Sequence, residues 1–176
     1  AERDLAEQFG VSRTVVREAV RGLAAKGLLN VSPGRGGTKV KRPSADSVTQ
    51  SMTLYLQAGQ PFDYEKLIEV RRALEVEIAG LAAQRRTDAD LALLHENLTL
   101  GERDDHDRES FVQTDVDFHA LLAQATHNEL WSLLLESLGE ALREGRWRGY
   151  DVPGTAARAC QYHRAILAKV EKGDVE

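Results

Sequence analysis

Apolar positions recur every three or four residues along most of the chain, and one short stretch breaks that rhythm. Residues 2–9 carry Leu5, Ala6 and Phe9 at helical spacing, and Gly10 ends the segment because glycine enters positive φ without steric cost. Ser12 stands where a side-chain oxygen caps a second helix, which runs to about Lys26 and stops at Gly27. Leu28 to Ser32 and Thr38 to Lys41 then read as two short strands. The segment Pro33-Gly34-Arg35-Gly36-Gly37 forms the turn between them. Pro43-Ser44-Ala45 marks a hinge. Every later segment is helical. The first runs from about Asp46 to Ala58 and is closed by Gly59 and Pro61. The second, Tyr64 to Arg86, places Leu67, Val70, Leu74, Ile78 and Leu81 on one stripe. The third, Asp88 to Gly101, turns Leu91, Leu94 and Leu98 inward, and a charged connection from Arg103 to Arg108 follows. Three more helices are expected near 109–126, 128–144 and 155–172. No internal repeat is visible. The fold class is therefore mostly α: an N-terminal winged helix-turn-helix with a small β-wing, then an all-α helical bundle. The expected divisions are 1–42 for the first, 43–62 for a linker and connecting helix, and 63–176 for the bundle.

Composition narrows the setting. The chain has 176 residues, 42% hydrophobic and 29% charged, which is ordinary for a folded globular protein. Its longest apolar run is far below the roughly 20 residues of a membrane helix, so no membrane partner is expected. No signal-peptide pattern is visible, and the single cysteine, Cys160, excludes an internal disulfide. Both fit the cytoplasm. The net charge of −5 conceals an asymmetry. Residues 1–43 hold nine Lys/Arg against four acids, and the remainder carries a net −10. A basic head on an acidic body implies that only the head meets a polyanion.

The head carries the chemistry for that contact. With about 100° per residue, Arg13, Thr14, Arg17 and Arg21 share one face of the second helix, and Val15, Val16, Ala19, Val20 and Leu23 share the other. The arginine and hydroxyl strip begins at the helix N-terminus, where recognition helices present side chains to base edges. Arg35, at the tip of the glycine-rich turn, is placed to enter a minor groove. The runs Glu2-Arg3-Asp4-Leu5-Ala6, Gly10-Val11-Ser12-Arg13, Val16-Arg17-Glu18-Ala19, Gly27-Leu28 and Gly34-Arg35-Gly36-Gly37-Thr38 resemble the winged helix of GntR-type transcription regulators. That resemblance implies DNA contacts from Arg3, Ser12, Arg13 and Arg17, assisted by Thr14 and by the wing around Gly36. It also implies a further helix preceding Glu2.

In the body, Asp115 and His119 lie four residues apart, and Phe111, Phe118 and Leu122 cluster on the same side. Both polar groups therefore face inward, where each needs a partner. Two readings stay open: a hydrogen-bonded structural pair, or two ligands of one ion. His163 stands in the apolar stripe of Ile166, Leu167 and Val170 and adds a third inward donor. An O, N, N set in a helical bundle suits a divalent cation such as Zn, Ni or Mn. Cys160 is either a thiolate beside this set or a small apolar residue, and His95 is a lesser candidate. Asp117, His106 and His127 are expected in solvent.

Ile68-Glu69-Val70-Arg71-Arg72-Ala73-Leu74-Glu75, Asp115 to His119, Asn128 and His163-Arg164 resemble the FCD effector domain of FadR-like GntR regulators. The resemblance implies a metal held by one Asp and three His beside a cavity for a small carboxylate. Asp115, His119 and His163 supply three of those ligands, and the fourth is expected on a helix beyond Glu176. Tyr162 departs from the acid common before that histidine. Arg71 is the candidate for the effector carboxylate, its alternative being an intrahelical pair with Glu75. The resulting expectation is a non-enzymatic, dimeric transcription regulator, a repressor, on a near-palindromic double-stranded operator and controlled by a small organic acid. A metal-dependent hydrolase, and a DNA-binding regulator with a purely structural metal and no effector, are the alternatives.

Overall fold

A computed structural model describes residues 2–32, 37–41, 45–58, 63–103 and 107–175. Arg35, Gly36, the Pro43-Ser44 hinge, Gly59, Pro61 and His106 lie outside the described residues. The chain divides into two compact units, Ala1–Val48 and Thr49–Glu176.

In the first unit, α1 (Glu2–Phe9) and α2 (Arg13–Ala25) are joined through Gly10 at φ 64°. The Val11 N–H donates to the Ala6 carbonyl across that turn, and the Ser12 hydroxyl accepts the Val15 N–H at the start of α2. Ala6 of α1 and Val16 of α2 are the buried apolar residues of these two helices. After α2, Gly27 adopts φ 71°, and a Cβ there would lie 2.1 Å from Ser47 Oγ, so backbone conformation and crowding both select glycine. Strands β1 (Leu29–Ser32) and β2 (Gly37–Val40) pair antiparallel, with Leu29 opposite Val40 and Ser32 opposite Gly37. Gly37 thus opens β2 rather than belonging to the turn, because its left-handed φ of 66° lets the chain enter the ladder one residue early.

The boundary between units falls inside α3 (Ala45–Ala58). In the second unit, Met52 of α3 packs on Leu67, Leu138 and Leu142, and Thr49 Oγ1 donates to the Glu136 carbonyl. The bundle then comprises α4 (Tyr64–Arg85), α5 (Asp88–Gly101), α6 (Arg108–Gln124), α7 (Glu129–Ser137), α8 (Gly139–Gly149) and α9 (Thr155–Lys172). Side-chain caps from Asp63, Thr87, Asp107 and Asn128 begin α4 to α7, and Gly173 at φ 69° ends α9. Helix α6 is central and packs against α4, α5, α7, α8 and α9. Its Phe118, Leu122 and Ala123 meet Ile78 and Ala82 of α4, Leu94 of α5, Leu135 of α7, and Leu167 and Val170 of α9.

Two expectations are corrected. The helix expected at 128–144 is two helices, α7 and α8, divided at Leu138. There the Leu138 N–H bonds three residues back to Leu135, and the Ser137 hydroxyl donates to the Leu134 carbonyl; Gly139 then restarts the helix. The α4 stripe is also rotated. Leu67 and Ile78 are buried, Leu74 and Leu81 are half-buried, and Val70 is exposed, while Arg71 and Glu75 turn inward in its place. An apolar-only reading of the wheel misses this, because a paired arginine and glutamate together tolerate the interior.

Candidate metal centre and nucleic-acid face

The middle of the central helix is polar. Asp115 and His119 stand one turn apart on α6 between Phe111 and Phe118, and His163 reaches them from α9. One donor atom from each of the three lies within 4.8 Å of the others. All three residues are nearly buried, at 9%, 8% and 8% exposure. The His163 ring stacks on Phe118 at 4.0 Å between centroids and 14° between planes, and its Nε2 lies 3.4 Å from Asp115 Oδ1.

Two arginines and a glutamate complete the cluster. Arg71 Nε donates to Glu75 Oε1 at 2.7 Å, and a second Arg71 nitrogen approaches His119 Nε2 at 2.9 Å. A guanidinium only donates, so Nε2 is the acceptor and the His119 proton sits on Nδ1, which faces Glu75 Oε1 at 3.1 Å. On the other side, Arg146 of α8 forms an ion pair through Nε with Asp115 Oδ2, both side chains almost wholly buried. Arg71 thus makes the intrahelical pair with Glu75 and also touches a histidine of the cluster.

Burial governs the electrostatics. It holds His119 well below the ordinary histidine value, and Arg71 and Arg146 push the same way. His163 is lowered by burial too, with Asp115 opposing. Both imidazoles are therefore neutral near pH 7, the state in which they donate a lone pair to a metal. Burial raises Glu75 and lowers Arg146, each opposed by its ion-pair partner. One carboxylate oxygen and two neutral imidazoles suit a divalent cation. A carboxylate holding the far nitrogen of His119 is the outer support such a ligand uses.

Glu75 and Arg146 are the residues that sequence reasoning did not assign to the site. Arg146 lies four residues after Leu142, which is itself buried, so the spacing carried a signal; a helix ending at 144 hides it. Glu75 had no signal beyond its pairing with Arg71. Other candidates stand apart. Cys160 donates through Sγ to the Gly101 carbonyl, and burial raises its thiol, so it stays protonated. It shares a hollow with Asp115 and His163 but lies outside the three-donor cluster. His95 is exposed and pairs with Glu171, and His127 is exposed and pairs with Asp90 at 3.0 Å. Asp117 accepts from Gln113 Nε2.

In the first unit, Arg13, Thr14, Arg17 and Arg21 are all exposed. Arg3, Ser12 and Arg13 line one open hollow at the turn between α1 and α2. Arg3 pairs with Glu7, Arg17 with Glu2 at 3.6 Å and Arg21 with Glu18, all at the surface. Such pairs contribute about 0–1 kcal/mol and exchange readily for phosphate.

Comparison with known proteins agrees with this two-part organisation. Residues 1–40 match the model of bacterial regulatory proteins of the gntR family, and residues 66–176 match the FCD domain. The chain is 37% identical to the HTH-type transcriptional regulator LutR of Bacillus subtilis, over 97% of this chain and 79% of that protein. It is 29% identical to the galactonate operon transcriptional repressor of Escherichia coli, over 99% of this chain and 77% of that protein. Among solved structures, Streptococcus agalactiae GntR superposes with a TM-score of 0.65 at 26% identity, covering 99% of this chain and 80% of that one. No helix among the described residues is long and apolar enough to cross a membrane. A winged helix-turn-helix followed by a helical FCD domain places this chain in the GntR family of DNA-binding transcription regulators.

Proposed function

We propose that this chain is a cytoplasmic, dimeric repressor whose operator affinity is set by a small organic acid bound at a divalent-metal site in the helical domain. One observation carries the reading: three metal donors, Asp115, His119 and His163, share a buried spot with two guanidinium groups, Arg71 and Arg146. Asp115, His119 and His163 would hold the metal, with Glu75 orienting His119 through Nδ1. Once bound, the metal supplies Lewis acidity and a direct bond to a carboxylate oxygen. Arg71 and Arg146 offer the planar, forked donors that suit the rest of such an anion. A small hollow, open at its mouth and bordered by His119, Ser132, Leu142 and Arg146, adjoins the cluster on the Arg146 side. The relative that represses a galactonate operon supports a hydroxy acid as the effector class.

The route to DNA runs through α8 and α3. Arg146 stands one turn beyond Leu142, and Leu142 belongs to the buried cluster against which Met52 of α3 packs. Movement of α8 on effector binding would therefore reach α3, the helix along which the chain passes from one unit to the other. The effector changes operator affinity by the ratio of its affinities for the two arrangements, and DNA changes effector affinity by the same factor. On the DNA side, Arg3, Ser12, Arg13, Thr14 and Arg17 would contact the duplex, with Arg35 and Gly36 on the wing. A dimer on a near-palindrome supplies the specificity that one short half-site lacks.

The test is fluorescence anisotropy of the intact protein on its own promoter DNA. It is run with a panel of small hydroxycarboxylates, in zinc-loaded and chelated forms. Release of DNA by one acid, abolished by chelation, is the expected outcome. If no acid alters DNA binding and chelation alone unfolds the bundle, the metal is structural and the effector reading is wrong.

A further inference from the structure

We propose that Arg146 is a built-in competitor of the metal: it occupies Asp115 until a divalent cation displaces it, so metal binding and release of Arg146 are a single event. The inference rests on the metal reading above and adds a regulatory role for a residue outside the donor set. Asp115 offers two oxygens. Oδ1 faces His163 Nε2, and Oδ2 is held by the Arg146 guanidinium in a pair almost closed to solvent. A carboxylate that has a buried cation on one oxygen cannot accept a second, divalent cation beside it without strong repulsion at low effective dielectric. Release of one of the two relieves that repulsion.

The geometry favours departure of Arg146. Arg71, the other guanidinium of the cluster, is tied to Glu75 at 2.7 Å, a bond that lies outside the donor set and survives when the metal takes the His119 Nε2 lone pair that Arg71 approaches at 2.9 Å. Among the described residues, Arg146 has one side-chain partner, Asp115. It also borders the hollow that opens between α6, α7 and α8, which gives its long side chain a place to go. Helix α8 begins at the break after Leu138 rather than continuing α7, so its last turn can shift without dragging α7 along. A purely structural ion pair predicts something different: removing Arg146 would weaken the fold and leave metal affinity unchanged or lower.

The experiment measures Zn(II) affinity of the metal-stripped intact protein by competition with a chromogenic chelator, for wild type, Arg146→Met and Arg146→Lys. Arg146→Met is expected to bind Zn(II) about tenfold tighter or more, since a buried charge within a few ångströms of the cation is removed. Arg146→Lys, which keeps the charge but loses the Nε–H donor, is expected to fall between. A second readout needs no substitution. The Arg146 Nε–H resonance of arginine-labelled wild type is expected to move from an ion-paired to a free position as Zn(II) is added. Equal or weaker Zn(II) binding by a folded Arg146→Met, or an Nε–H resonance unchanged at saturating Zn(II), overturns the proposal while leaving the metal reading intact. If neither wild type nor variant binds Zn(II), the metal reading falls and the competition falls with it.

Discussion

Replacing Asp115 by Asn isolates what the buried charges of the cluster cost one another. The substitution keeps the size and one acceptor oxygen but leaves the Arg146 guanidinium, 8% exposed, without its counter-ion. Breaking one side of a buried ion pair costs about 3–5 kcal/mol, because the remaining charge stays desolvated. Two features move the expectation to the lower end: the Asn oxygen still accepts a hydrogen bond, and Glu75 exerts a favourable field on Arg146. At about 3 kcal/mol, and about 2–4 °C per kcal/mol for a protein of this size, the bundle should melt about 6–12 °C lower. The assay is thermal unfolding in chelator, so that metal contributes nothing. It compares wild type, Asp115→Asn, Arg146→Met and the double variant. If the orphaned guanidinium is the cause, the double variant regains most of the loss, and the cycle shows strong coupling between the two positions. A double variant that melts at the sum of the two single losses would refute the reasoning. So would an Asp115→Asn protein within about 1 kcal/mol of wild type.

Other expectations follow from the same structure. Because His119 and His163 are depressed below the ordinary histidine value, the unfolded chain takes up protons first; metal-free stability is therefore lost as pH falls through about 6.5. Wild type should accordingly lose more melting temperature between pH 7.5 and 5.5 than His119→Gln does, and parallel curves would count against the assignment. Arg13→Ala and Arg17→Ala should each lose about 1–3 kcal/mol on specific DNA if each reaches a base edge, as read by anisotropy titration. Wild-type affinity in both would mean that the exposed strip of α2 is not the reading face. Gly27→Ala should destabilise the first unit by about 1–2 kcal/mol or more, since φ 71° is left-handed and Ser47 crowds the new methyl. Circular-dichroism melts would detect this, and an unchanged melt would exclude that role for Gly27.

Much of the architecture is legible along the chain because its causes are local. Ser12, Asp63, Thr87, Asp107 and Asn128 cap helices by reaching only two or three residues ahead. Gly10 and Gly27 mark their turns through their own φ. The one-turn spacing of Asp115 and His119, set in an apolar face, announces a buried polar pair, and the stripe around His163 adds the third member. The break at Leu138 was written only faintly, in Ser137 and Gly139, since either residue is tolerated within a continuous helix.

By itself, the sequence determined the helix-turn-helix with its hairpin, the order of the helices and the three inward donors, since each depends on neighbours within a turn or two. The tertiary structure decided what those donors meet. Glu75 comes from α4, Arg146 from α8 and His163 from α9, and they converge on α6 only through the rotation and crossing of packed helices. The exposure of Val70 and the burial of Arg71 belong to the same cause. Which face of a helix turns inward is set by the summed packing of several partners distant in sequence, and no periodicity within one helix records it.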